Sequence, residues 1–373
     1  MHPPTILHLG IKELWSLARD PVLLALMAFA FTLSIYLAST AMPETLNKAP
    51  IVIVDEDRSA LSERIIAAFQ RPYFLTPTLV TGAEMDARMD SGLDTFALNI
   101  PPDFQRNVLA GRSPAIQLNV DATRMSQAFN GCGYVQTIVD KEVQAFVKRY
   151  RADTSQSVDI EERVLFNPNL TKAWFNSLMK LLDMTTMLAI VITGAALLRE
   201  RERGTVEHLL VMPVTPFEIM TSKVWSMGLV VLVASSLSLF TIVHELLSVP
   251  LRGSIALFLC GVAVHLFAVT SLGIFLATFT RSMPQFGLLV MLVLLPLMLL
   301  SGGVTAHDNM PHWVQQIMMV APTTHIVGLA QAILIRGAGL EIVWPQFMAL
   351  GLIGTFFFVV ALTSFRKMIG TMA

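Results

Sequence analysis

From Pro21 to Met42 the chain carries no charged side chain. At about 1.5 Å per residue this run is about 33 Å long as a helix, enough to cross the roughly 30 Å hydrocarbon core of a bilayer. Five more apolar runs follow, at about 177–198, 224–246, 254–280, 282–302 and 343–365. A content of 54% hydrophobic and only 14% charged residues, with a mean hydropathy of +0.62, sets the chain apart from ordinary soluble proteins. The pattern predicts a polytopic α-helical membrane protein with six transmembrane helices.

Residues 1–20 read as an amphipathic interfacial helix. Ile11, Leu14, Trp15 and Leu17 fall mostly on one face, Lys12, Glu13 and Arg19 elsewhere, and Pro21 turns the chain inward. Ser39-Thr40-Ala41 loosely resembles a cleavage site. The first run exceeds the apolar length of a signal peptide and follows a helix, so it is read as a retained span, residues 21–42.

Basic residues orient the bundle. Lys12 and Arg19 precede the first span, Arg199, Arg201, Arg203 and Lys223 lie between the second and third, Arg281 between the fourth and fifth, and Arg366 and Lys367 follow the last. All fall on one side, which the positive-inside rule makes cytoplasmic. Both termini are then cytoplasmic, and residues 43–176 lie outside.

In that outer stretch Ile51-Val-Ile-Val54, Phe74 to Val80, Thr95 to Ile100 and Ala115 to Val120 read as strands. Ser59 to Gln70, Ala83 to Asp90, Pro102 to Leu109 and Ser126 to about Arg149 read as helices. Alternation of this kind predicts an inserted α/β domain with a parallel or mixed sheet. Cys132 and Cys260 lie in a soluble stretch and in a span, which argues against a disulfide and a zinc site; no metal site is expected. A net charge of -1 leaves no basic excess for nucleic acid.

Between the second and third spans stands the block Arg199-Glu200-Arg201-Glu202-Arg203-Gly204-Thr205, continuing through Glu207 and His208 to Pro213. Gly204 can end the outgoing helix, and Thr205 to Met212 can form a short surface helix stopped by Pro213. Thr215-Pro216-Phe217-Glu218 matches a capping box that opens the helix running through Lys223. On spacing alone, a solvated loop that enforces topology is an equal reading. Within the spans only His265 is deep, and a hydrogen bond to a neighbouring helix is the favoured reading for it. Lys180, Asp183, His244 and Glu245 lie near span ends, within reach of headgroups.

The pattern R-E-x-E-x-G-T-x-E-x-L-L-x-x-P at 199–213 resembles the cytoplasmic coupling segment of ABC-2 type transporter permeases, here residues 199–223. The N-terminal K-E-x-x-x-x-x-R-D-P resembles the same family. So does Ser301-Gly302 followed by Met310-Pro311 and a re-entrant or amphipathic stretch over 303–342, although Val304 to His307 replace the proline often found there. Leu300-Ser-Gly-Gly303 also spells part of an ABC ATPase signature, but no phosphate loop accompanies it, so the match is a coincidence.

The resemblance implies an exporter permease of the drug-exporter-like branch, resident in a bacterial inner membrane. It would move a hydrophobic or amphipathic substrate, drug-like or lipid-like, outward. The chain itself would be no enzyme and hold no cofactor; ATP and Mg would bind a cytoplasmic ABC ATPase partner, contacted through Arg199 to Thr205, Glu207, His208 and Pro213. A second permease copy, in a homodimer or heterodimer, and a periplasmic membrane-fusion protein are the other implied partners. Pathway-lining candidates are Thr185, Thr186, Thr193, Pro296 and Ser301, for which helix-helix hydrogen bonding is an equal reading. Two rivals stay open. One is a membrane-anchored receptor or assembly scaffold; the other is a secondary transporter, which the lack of a deep carboxylate disfavours.

Overall fold

The computed structural model describes residues 3–40, 46, 48–123, 125–150, 171–202, 214–303 and 310–370. The chain divides into two compact units, one of Met1–Thr40 with Val164–Ala373 and the other of Ala41–Arg163. The first unit begins with α1 (Pro3–Ala18), α2 (Pro21–Phe31) and α3 (Leu33–Thr40). Asp20 caps α2 by accepting the Leu23 N–H at 3.1 Å, and Pro21 follows at the first helical position, where its missing N–H costs nothing. Together α2 and α3 make one apolar span, Pro21–Thr40. It is interrupted at Thr32, whose hydroxyl donates to the Ala28 carbonyl, a back-bond that bends helices.

The second unit is α/β. Its elements run β1 (Ile51–Asp55), α4 (Ala60–Ala68), β2 (Thr78–Leu79), α5 (Gly82–Asp90), β3 (Phe96–Ile100), α6 (Phe104–Leu109), β4 (Gln117–Val120) and α7 (Met125–Tyr150). The sheet order is β2-β1-β3-β4, with β1 parallel to both neighbours and β4 antiparallel to β3. Central β1 is buried on both faces, as its unbroken β-branched run requires. Ile51, Ile53, Phe96 and Leu98 face Leu61 and Ile65 of α4 and Val135 of α7; Val52, Val54 and Ala97 face Met85 of α5. The strand expected over 74–80 is reduced to Thr78–Leu79, with one isolated bridge from Phe74 to Ala49. Pro77 between them has no N–H to give a ladder.

The first unit continues with α8 (Lys172–Glu202), α9 (Pro216–Ser238) with a π-helical end Leu239–Leu246, and α10 (Ile255–Phe279). It ends with α11 (Met283–Leu299), α12 (His312–Met318), α13 (Pro322–Ala330) with a π-helical end Gln331–Ile335, and α14 (Leu340–Gly370). Helix α8 is the most enclosed span. Gly273 of α10 lies on its backbone, where an added Cβ would come within 2.6 Å of the Ile190 carbonyl oxygen; such small residues let membrane helices approach. His265, fully buried, shares a 2.9 Å hydrogen bond with Thr186 of α8. Among the described residues five helical segments, α2 with α3 taken as one, are long and apolar enough to cross a membrane; α12 with α13 and its π-helical end passes the same test only as a pair, bent by 88°. The fifth span expected over 282–302 is instead the 17-residue α11. That helix is only about 26 Å long, because Leu300 leaves helical geometry and Gly302 takes a left-handed φ of 92°.

Candidate functional site

At the end of α8 four consecutive residues each bind a different part of the first unit. Successive side chains on an α-helix point about 100° apart, so a charged run at a helix end can reach neighbours all round. Arg199 Nη1 donates to Asp20 Oδ2 at 3.0 Å, at the cap of the first span. Glu200 accepts from Lys12 of α1 at 3.0 Å and pairs with Lys223 of α9 at 2.8 Å. Arg201 Nη1 donates to the Thr280 carbonyl, at the end of α10, at 2.7 Å. Glu202 Oε1 accepts the first N–H of α11, from Met283, at 2.8 Å.

The centre of this junction is buried. Lys223, 1% exposed, lies 2.8 Å from Glu13 Oε1 as well as from Glu200. Lys12 Nζ closes the ring at 3.0 Å from Glu200 and 4.0 Å from Glu13. Two ammoniums alternate with two carboxylates, which is the arrangement that lets a buried charge persist. Partial burial pulls the Lys12 ammonium towards neutrality, but the charge and hydrogen bond of Glu200, aided by Glu13, outweigh it and hold its pKa above the ordinary lysine value.

Local structure fixes each member. The Thr215 hydroxyl accepts the Glu218 N–H at 3.3 Å and the Glu218 carboxylate accepts the Thr215 N–H at 2.9 Å, the expected capping box, so α9 starts in register to point Lys223 inward. Helix α1 is held flat on α9: the Trp225 Nε1–H donates to the Ile6 carbonyl at 3.3 Å, and its ring covers Gly10, where a Cβ would collide.

Of the block singled out by the sequence, Arg199 to Glu202 are thus at the junction, while Arg203, Gly204, Thr205, Glu207, His208 and Pro213 lie outside the described residues. Glu13, Asp20 and Lys223 are partners that the sequence did not assign. The available signal was a lysine well inside an apolar helix. The suggested pathway residues are elsewhere. Thr185 and Thr186 donate to the carbonyls of Leu181 and Leu182 four residues back, Ser301 donates to that of Met298, and all three are buried with Thr193 inside the single chain. Pro296 is exposed on α11.

Comparison with known proteins adds an independent finding. Residues 21–363 match the family model described as ABC-2 family transporter protein. The inner membrane transport permease YhhJ of Escherichia coli K12 is 61% identical over 372 residues, covering 100% of both chains. The probable multidrug ABC transporter permeases YbhR and YbhS of the same organism are 27% identical over 335 residues and 25% over 345. These cover 89% and 88% of this chain, and 90% and 88% of theirs.

Proposed function

The chain belongs to the ABC-2 family of transporter proteins, and we propose from that premise that it is the permease subunit of an ATP-driven exporter. It spans a bacterial inner membrane several times, as the name of its 61% identical relative suggests, and carries a hydrophobic or amphipathic substrate outward. Both termini and the 199–223 segment face the cytoplasm, the α/β unit faces the periplasm, and a second copy completes the pathway. ATP and Mg are bound by a separate cytoplasmic ATPase.

The observation that supports this reading most is the junction. Residues 199–202 join α1, the start of the first span, α9, α10 and α11 at the point where the chain leaves α8 for the coupling segment. A push on that segment is therefore delivered to five helical elements together, with little lost to local bending, because the ion pairs at its centre are buried. An isolated loop whose arginines only set topology has no need of Glu13 or Lys223.

The test is isolation of the chain from native membranes with whatever ATPase it holds. Stoichiometric recovery of an ATPase whose turnover rises in the complex is expected, with loss of that stimulation in Glu207→Arg. Recovery of a chain with no ATPase, or unchanged stimulation in the variant, would overturn the reading.

A further inference from the structure

The core of the α/β unit is left open at one edge. Register pairs Leu98 of β3 with Leu118 of β4, so both side chains face the same side of the sheet. On that side α6 and α7 cover Leu98 fully but Leu118 only in part. The result is a groove of about 630 Å³ between β4, α6 and α7. Its floor is core, with Leu98, Phe104 and Val135 each at most 2% exposed. Its wall on α7 carries Cys132, Val139 and Val143, all half-buried. At its mouth stand exposed Arg112 from the α6–β4 connection and Asp140 from α7.

We propose that this groove binds a small amphipathic molecule, its apolar body on the half-buried Leu118, Val139 and Val143 and its polar head between Arg112 and Asp140. Size decides against a protein segment. A helix about 10 Å across would fill the volume with only about one and a half turns, whereas small-molecule pockets run from about 300 to 1,000 Å³ with apolar walls and few polar groups. Charge decides the form of the ligand. Arg112 makes one long side-chain bond, 3.3 Å to Asn107, and a wholly apolar occupant would strip water from opposite charges without replacing it. A head that offers both an anion and a cation satisfies both, which points to zwitterionic amphiphiles. The inference does not depend on the direction of transport or on an ATPase partner.

Cys132 in the wall is a native reporter. In the full chain carrying Cys260→Ala, reconstituted in lipid nanodiscs, its alkylation by a maleimide is measured with decyl sulfobetaine below its micellar concentration. Labelling should slow about tenfold at about ten times the dissociation constant, the factor mass action gives for one site. The ethyl analogue with the same head should not protect, Arg112→Gln with Asp140→Asn should weaken protection, and Val139→Trp, which fills the groove, should abolish saturable protection. A cysteine at Ser91, exposed on a turn outside the groove, should label at one rate throughout. Unchanged labelling of Cys132, equal protection by the ethyl analogue, protection surviving in Val139→Trp, or parallel slowing at position 91 would each overturn the proposal.

Discussion

Lys223 Nζ stands 2.8 Å from Glu13 Oε1 across 210 positions of chain, and the lysine is 1% exposed. Folding must therefore bring the interfacial helix onto the third span before the lysine can be buried charged. Replacing Lys223 by Met removes the buried cation between Glu13 and Glu200 and leaves them only the half-exposed Lys12, and breaking a buried ion pair costs about 3–5 kcal/mol. Lys223→Met should lower the thermal midpoint of the purified protein sharply. Adding Glu13→Gln and Glu200→Gln should restore most of it, since removing all the buried charges is close to neutral. A single variant as stable as the triple one would show that the ring is not a stabilising unit.

Gly10 tests the seat of α1. An alanine in a helix interior gains about 0.5–1 kcal/mol over glycine, so an open site would make Gly10→Ala stabilising. Here its Cβ would enter the Trp225 ring, and overpacking costs about 1–3 kcal/mol. The clash should win. Gly10→Ala should be less stable and should expose α1 to protease, and Trp225→Leu in the same chain should recover the loss. Stabilisation by the single change would refute the contact.

Asp20 has two duties that substitution can separate. It caps α2 through the Leu23 N–H and pairs with Arg199, both side chains about a quarter exposed. Losing the cap costs about 1 kcal/mol, while a pair this exposed contributes roughly 0–1 kcal/mol. Asp20→Asn keeps the cap and should lose little stability, whereas Asp20→Ala should lose about 1 kcal/mol more in chemical denaturation. Equal losses would assign the effect to the ion pair alone.

What the sequence made legible follows the range of the forces involved. Five of the six apolar runs, the β-branched run Ile51–Val54 and the Thr215 capping box act within a few residues, and each is found at its expected place. Lys12 and Glu13 on one helix and Lys223 on another were visible only as separate charges, because their pairing depends on tertiary docking. The shortening of α11 depended on Gly302 adopting a left-handed turn, which a window of apolar residues does not weigh. The buried threonines of α8 show the converse. A hydroxyl in an apolar span fits a pathway and a back-bonded helix equally well, and the back-bonds of Thr185 and Thr186 to Leu181 and Leu182 are compatible with both.

Sidedness can be read directly by labelling. With Cys132 and Cys260 replaced, a cysteine at exposed Ser113 should react with a membrane-impermeant maleimide in cells whose outer membrane alone is permeabilised. Reaction only after disruption of the inner membrane would turn the topology over, since the α/β unit would then be cytoplasmic and the positive-inside assignment reversed.

The last prediction concerns α11. Leu288, Met291, Leu292, Leu295 and Leu299 of this helix are all more than half exposed, and their spacing of three or four residues puts them on one face. Lipid could cover that face as readily as protein, because there is no hydrophobic drive between apolar helices in a bilayer. Length favours protein. At about 26 Å α11 falls short of the roughly 30 Å hydrocarbon core, and a short helix relieves its mismatch by thinning the bilayer or by associating with another. Single cysteines at Leu288, Met291 and Leu295, in a chain without Cys132 and Cys260, should therefore cross-link between two copies in native membranes, while one at Val359 on α14, also half exposed, should not. Cross-linking at Val359 alone would move the interface to α14, and none at either helix would leave each copy to form its pathway by itself.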